Sequence, residues 1–193
     1  FGTSYGYLEG DTYKTVQGVI HEMIEVVSRN GNFLINIGPR ADGTIPEPQV
    51  ERLRAMGDWL RINGEAIYGT RYWKVCDQED EHLAFTTKGK TLYAIKLTRP
   101  SAAFTTSGWA AGQVNAVLLV GSNAEVDWAM TQQGLRITPP ADLGRSMYAW
   151  AFEIVTDRQQ HRPNVIQHDA TKALQGTKKV DLEGHRTARA PEQ

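Results

Sequence analysis

The chain has 193 residues, 40% hydrophobic and 22% charged, with a net charge of −1. That composition fits a globular chain long enough to bury a core, with no basic excess to recruit nucleic acid or an anionic membrane. No apolar run approaches the roughly 18 residues of a spanning helix, and Cys76, the only cysteine, has no partner for an internal disulfide.

The opening stretch "FGTSYGYLEG" has neither the basic nor the apolar region of a signal peptide, and it carries no Met. It reads as the interior of a longer chain, with an upstream portion expected before Phe1. Within it, "SYGY" (4–7) sets two aromatics beside glycine without regular period. Two readings stay open: ordinary core or surface tyrosines, or a loop presenting a ring to a ligand. Sugars suit the second, because their C–H faces stack on rings.

Residues 12–29, "TYKTVQGVIHEMIEVVSR", predict an amphipathic helix with Val16, Val19, Ile20, Met23 and Val27 inward. Asp11 is the expected N-cap and Asn30-Gly31 the stop. "HEMIE" (21–25) is one histidine short of the zinc motif H-E-x-x-H, and is read as a solvated helix face. The apolar run "NFLINIG" (32–38) predicts a strand buried on both faces, ended by Gly38-Pro39. Turn residues follow at 41–43. Thr44 with Glu47 then predicts a capping box for a helix to about Ile62, striped by Val50, Leu53, Met56 and Leu60.

After "EAIYGTRYWKV" (65–75), read as a junction, the period changes. Strands are predicted at 82–87, 91–97, 114–120, 125–130, 135–138 and 148–155, spaced by turn residues in the manner of an antiparallel β-sandwich. Residues 156–193 lack aromatics and are read as a poorly ordered tail, with a short helix near 168–175. The tail's His161, His168 and His185 match no zinc spacing.

The chain contains no G-x-G-x-x-G, P-loop, G-x-S-x-G or C-x-x-C motif, so no cofactor and no metal is implied. Cys76 reads as a packing residue. Carboxylates are plentiful at Glu9, Asp11, Asp42, Glu47 and in "DQEDE" (77–81), but nothing in the sequence nominates an acid/base pair.

"SYGY", then a helix, then "EVVSRNGNFLINIGPRADGTIPEPQVERLRAMGDWLRINGEAIYGTRYWK", closely resembles the C-terminal part of the α-L-fucosidases of glycoside hydrolase family 29. "LAFTTKGKTLYAIKL", "VLLVGSNAEVDWAMTQQGLRIT" and "MYAWAFEIV" resemble that family's β-sandwich. The resemblance covers about residues 1–155. It implies a fold class: the α/β remnant of a (β/α)8-like barrel over 1–64, a linker over 65–81 and an antiparallel β-sandwich over 82–155.

It also implies retaining hydrolysis of terminal α-L-fucosides, which uses two carboxyl groups about 5 Å apart. The family's nucleophilic aspartate would fall before Phe1, so the isolated chain is expected to be inactive. Tyr5 stands where the family carries a pocket aromatic, usually Trp or Phe, and Tyr7 matches the end of the same motif. Asn36 and the loop 39–43 would rim the pocket at a strand's C-terminal end, with backbone hydrogen bonding the alternative task for Asn36.

The implied partners are α-L-fucosylated glycans, plus a missing barrel region or a second copy to cover the strand at 33–37. A periplasmic or secreted parent enzyme is expected. The rival reading is a carbohydrate-binding or structural module, with Trp109 and Trp128 as its first candidates.

Overall fold

A computed structural model describes residues 1–156 apart from 110–112, 123 and 125. The expectations for 157–193, including the short helix and the three tail histidines, lie outside the described residues. The elements in chain order are α1 (Val16–Ser28), α2 (Glu47–Asn63), β1 (Arg71–Gln78), β2 (Leu83–Lys88), β3 (Thr91–Lys96), β4 (Phe104–Thr106), β5 (Val114–Leu119), β6 (Asp127–Thr131), β7 (Gly134–Thr138) and β8 (Trp150–Thr156). Among the described residues the protein is thus mostly β-sheet with two α-helices. Five strands form one sheet in the order β1-β2-β3-β8-β5, and three form another in the order β4-β7-β6. Every pairing is antiparallel.

Alternation along the strands builds two cores. Leu83, Phe85, Leu92, Ala94, Trp150, Phe152 and Ile154 point one way and meet Phe104, Leu135 and Ile137 of the smaller sheet. Ala84, Tyr93, Ile95 and Ala151 point the other way, onto Ile20, Met23 and Ile24 of α1 and Trp59 of α2. Period-two patterning with apolar residues on both faces is what a sheet covered on both sides requires. Alanines at 84 and 151 leave room for the helices. α2 is also held by polar bonds: Trp59 Nε1 donates to Ala149 O at 2.9 Å and Asn63 Nδ2 to Ser146 Oγ at 2.8 Å.

Several local expectations need correction. α1 starts at Val16, capped by Thr15, whose Oγ1 accepts from Gly18 N at 3.0 Å. Asp11 is occupied elsewhere, by Thr3. Asn30, not Gly31, takes the left-handed conformation after the helix, with φ 63°. α2 has Pro46 at its N-cap and no side-chain cap, because Thr44 donates to Asp42 Oδ1 at 2.7 Å and Glu47 reaches Arg54 instead. Its fully buried residues are Gln49, Trp59 and Asn63; of the predicted stripe, Met56 and Leu60 pack half-buried on the helix-side core, and Val50 and Leu53 are half-buried.

The stretch 65–81, read as a linker, contains β1, which pairs with β2 while Trp73 and Val75 pack on the inter-sheet core. Residues 32–38 join no strand ladder; an apolar run becomes a strand only when a neighbour supplies hydrogen bonds. Thr156 closes β8, its Oγ1 donating to Lys90 O at 2.9 Å.

Glu153 on β8 sits opposite Tyr93 on β3. Burial, and then the charge of Glu65, raise its carboxyl above the ordinary value. A raised folded-state pKa contributes stability that is fully present below the unfolded value and is lost as pH rises through the folded one. Glu153→Gln is therefore expected to raise Tm by about 2 °C at pH 7, with the gain vanishing near pH 4. Thermal melts at the two pH values check this; an equal gain at both would sink it.

Candidate functional site

The three residues singled out for sugar contact lie on two segments placed side by side, the loop 1–11 and the stretch 32–43. Asn36 joins them. Its Nδ2 donates to Tyr5 O, and its own carbonyl accepts from Phe1 N at 3.2 Å. Gly38 makes the second junction. A Cβ built on it would lie 2.6 Å from both Gly6 C and Tyr7 N, so the two backbones touch with no room for a side chain. The third junction is Arg40, whose guanidinium sits 5.6 Å from the centre of the Tyr7 ring.

The loop is closed on itself by Asp11, whose Oδ1 accepts from Thr3 N at 3.1 Å and from Thr3 Oγ1 at 2.5 Å. Opposite, residues 40–44 fold into a turn in which Arg40 N donates to Thr44 O at 2.8 Å and Gly43 takes φ 84°. On this frame Tyr5 is 82% exposed and Tyr7 42% exposed. Tyr5 and Asn36 are thus brought into contact, and Tyr7 stands beside them through Gly38. The Asn36 side-chain amide serves the loop backbone, the alternative task its sequence position allowed.

Hydrogen bonds from Thr3, side chain first, hold the Asp11 carboxyl below its usual range; the backbone and then the hydroxyl of Thr44 do the same for Asp42. Both remain ionised at neutral pH, so neither is suited to donate a proton as a general acid. A shallow cleft of about 80 Å³ borders the site, between Phe1, Lys14, Glu22 and Phe33–Asn36. That is well short of the several hundred Å³ of an enclosing pocket. A cavity of about 300 Å³ lies elsewhere, between the end of α1 and β1–β2, where Arg29 and Asp77 pair at 2.7 Å.

Other candidates take structural places. His21 is half-buried rather than solvated, its Nε2 bonded to Tyr148 O at 2.8 Å, and Glu22 pairs with Lys14 at 2.7 Å. Among the described residues no group of three or more His, Cys, Asp or Glu is arranged to hold a metal ion. Trp109 stacks on Trp73 at 5.5 Å and donates to Thr106 Oγ1 at 3.0 Å; Trp128 packs against the inter-sheet core. Gln49 escaped the sequence reading. It is buried on α2 and accepts from Gly38 N at 3.0 Å. The available signal was a polar residue seven positions before Met56, on the same inward face.

The family model described as "Alpha-L-fucosidase" matches residues 1–65, which include the tyrosine loop, Asn36, the 39–43 turn and all of α2. Tissue alpha-L-fucosidase of Bos taurus is 35% identical over 143 residues, 70% of this chain and 30% of that protein. Plasma alpha-L-fucosidase of Homo sapiens is 37% identical over 134 residues, 66% of this chain and 29% of that protein. The chain belongs to the α-L-fucosidase family.

Solved α-L-fucosidases agree in shape. A Thermotoga maritima alpha-fucosidase in complex with fucose superposes with a TM-score of 0.70 at 32% identity, covering 80% of this chain and 37% of that one. Alpha-L-fucosidase isoenzyme 1 of Paenibacillus thiaminolyticus gives 0.73 at 30% identity, covering 81% and 38%. The chain spans less than a third of the length of these two curated relatives.

Proposed function

We propose that this chain is the C-terminal portion of a retaining α-L-fucosidase and supplies one wall of its sugar pocket. Residues 1–64 are the end of a (β/α)8-like barrel, 65–81 lead out of it, and 82–155 form the family's β-sandwich. The observation that carries this reading is Tyr5, 82% exposed on a backbone fixed by Asn36, inside the family-matched stretch. An exposed ring held on a rigid backbone is the element a deoxysugar's apolar face stacks on. The substrate class is terminal α-L-fucosides of glycans. The small cleft calls for further walls, and the rest of the barrel, or a second copy, supplies them over residues 33–37.

Retention needs two carboxyl groups about 5 Å apart, one of them protonated at the start. The carboxylates flanking the tyrosine loop, Asp11 and Asp42, are held ionised by turn hydrogen bonds. On this reading the reacting pair lies in the portion of the enzyme outside this chain, where the family resemblance puts the nucleophilic aspartate. The chain binds sugar without cleaving it.

The expected result with a chromogenic α-L-fucoside is background turnover by the whole chain, together with weak saturable L-fucose binding by NMR titration that Tyr5→Ala abolishes. Turnover that disappears on removing one of the chain's own carboxylates would overturn the inactivity. Wild-type fucose binding that is absent, or unchanged in Tyr5→Ala, would overturn the pocket wall.

A further inference from the structure

We infer that Gln49 is a positioning residue that sets where the tyrosine loop stands. The inference rests on the fucoside reading for what the loop receives, but not for how the loop is held.

Gln49 is 3% exposed, a buried amide in the first turns of α2. Both ends are used. Oε1 accepts from Gly38 N at 3.0 Å, and Nε2 donates to Tyr13 Oη at 3.3 Å. A buried amide is costly to leave unpaired, so the helix, the 32–38 stretch and the 12–15 stretch are tied to one relative placement.

Each tie reaches the loop. On one side Gly38 abuts Gly6 and Tyr7 backbone to backbone, with a virtual Cβ only 2.6 Å from Gly6 C and Tyr7 N. A movement of Gly38 passes to the loop without slack. On the other side Arg52 stacks over Tyr13 at 5.7 Å and donates to Lys14 O and, at 2.6 Å, to Pro48 O. Lys14 N in turn donates to Phe1 O at 3.1 Å. Gln49 therefore fixes both the floor beneath Tyr5–Tyr7 and the far end of the same loop, without itself reaching the exposed ring.

Gln49→Met keeps the side chain's length and removes its donor and acceptor. The test is made on the full chain, by amide hydrogen exchange of the peptide covering 1–14 and by L-fucose titration. Gln49→Met is expected to speed exchange in 1–14 about tenfold, the scale of one lost hydrogen bond, while β2, β3 and β8 keep wild-type exchange. Fucose affinity is expected to fall by a similar factor. Gln49→Glu, which keeps an acceptor for Gly38 N–H, is expected to restore most of the loop's protection.

Wild-type exchange in 1–14 for Gln49→Met overturns the inference, whatever happens to Tm. A rise spread evenly over every peptide also overturns it, because that is global destabilisation. If the wild-type chain binds no fucose, the pocket-wall reading fails, and the exchange data alone decide the role of Gln49.

Discussion

Replacing Phe152 with alanine is expected to cost about 3–5 kcal/mol of folding stability. Phe152 is fully buried on β8, a strand with neighbours on both sides. Its cross-strand partners are Ala94 on β3 and Leu119 on β5. The ring fills the space above Ala94 and meets Phe104 of the opposite sheet edge-on, at 5.2 Å between centroids. That pair adds about 0.5–1.5 kcal/mol beyond burial. A cavity here cannot close by local shifts, because both flanking strands are locked in the same ladder. Domains of this size have about 5–15 kcal/mol in all, so the variant is expected to sit near its unfolding midpoint in mild denaturant. Urea unfolding followed by circular dichroism measures it. A loss below about 1 kcal/mol would mean that the two sheets collapse onto the gap and are not rigidly spaced.

The elements that sequence reading located well are those whose pattern is local. β2, β3, β5 and β7 fall within a residue or two of their predicted bounds, because apolar alternation between turn residues is a complete signal for a buried strand. β1 was hidden because Trp73 and Val75 are only half-buried against the core, Arg71, Tyr72 and Lys74 are exposed, and the strand lies at the sheet edge. β4 has three residues, too few to show a period. The start of α1 turned on a contact that spacing cannot reveal. Asp11 and Thr15 can both cap a helix, and Thr3 claims Asp11. The apolar run at 32–38 carries strand propensity, but propensity forms no ladder without a neighbouring strand. In the site, Tyr5, Tyr7 and Asn36 were nominated through resemblance to fucosidase motifs, and the structure sets the two segments that carry them side by side. The bond from Asn36 to Tyr5 O spans 31 residues, and the support from Gln49 depends on helix rotation as well as burial. Both are products of packing.

Gly38→Ala is expected to dislodge the tyrosine loop while leaving the sheets in place. The added Cβ would lie 2.6 Å from Gly6 C and Tyr7 N and 2.8 Å from Gly6 O, and all three are backbone atoms. No side chain can swing aside, so one backbone has to move. The 32–38 stretch cannot easily recede, because Gly38 N is held by the buried Gln49 amide. The loop lifts instead, and the bonds from Asn36 to Tyr5 O and from Phe1 to Asn36 O are lost with it. The overpacking cost is about 1–3 kcal/mol, smaller than that of Phe152→Ala, because one methyl is added against loop backbone and no buried ring is removed. The functional effect is expected to be the larger one. On the proposed reading the displaced loop no longer offers the Tyr5 ring as a stacking surface, and fucose binding is expected to fall below detection. Gly57→Ala provides the control, since a Cβ there meets nothing within 4 Å and the residue lies within α2. Fucose titration and hydrogen exchange of 1–14 on the two variants separate the cases. Wild-type binding and exchange in Gly38→Ala would show that the loop has slack at this junction, and the placement of Tyr5 would then rest on Asn36 and the loop's other ties.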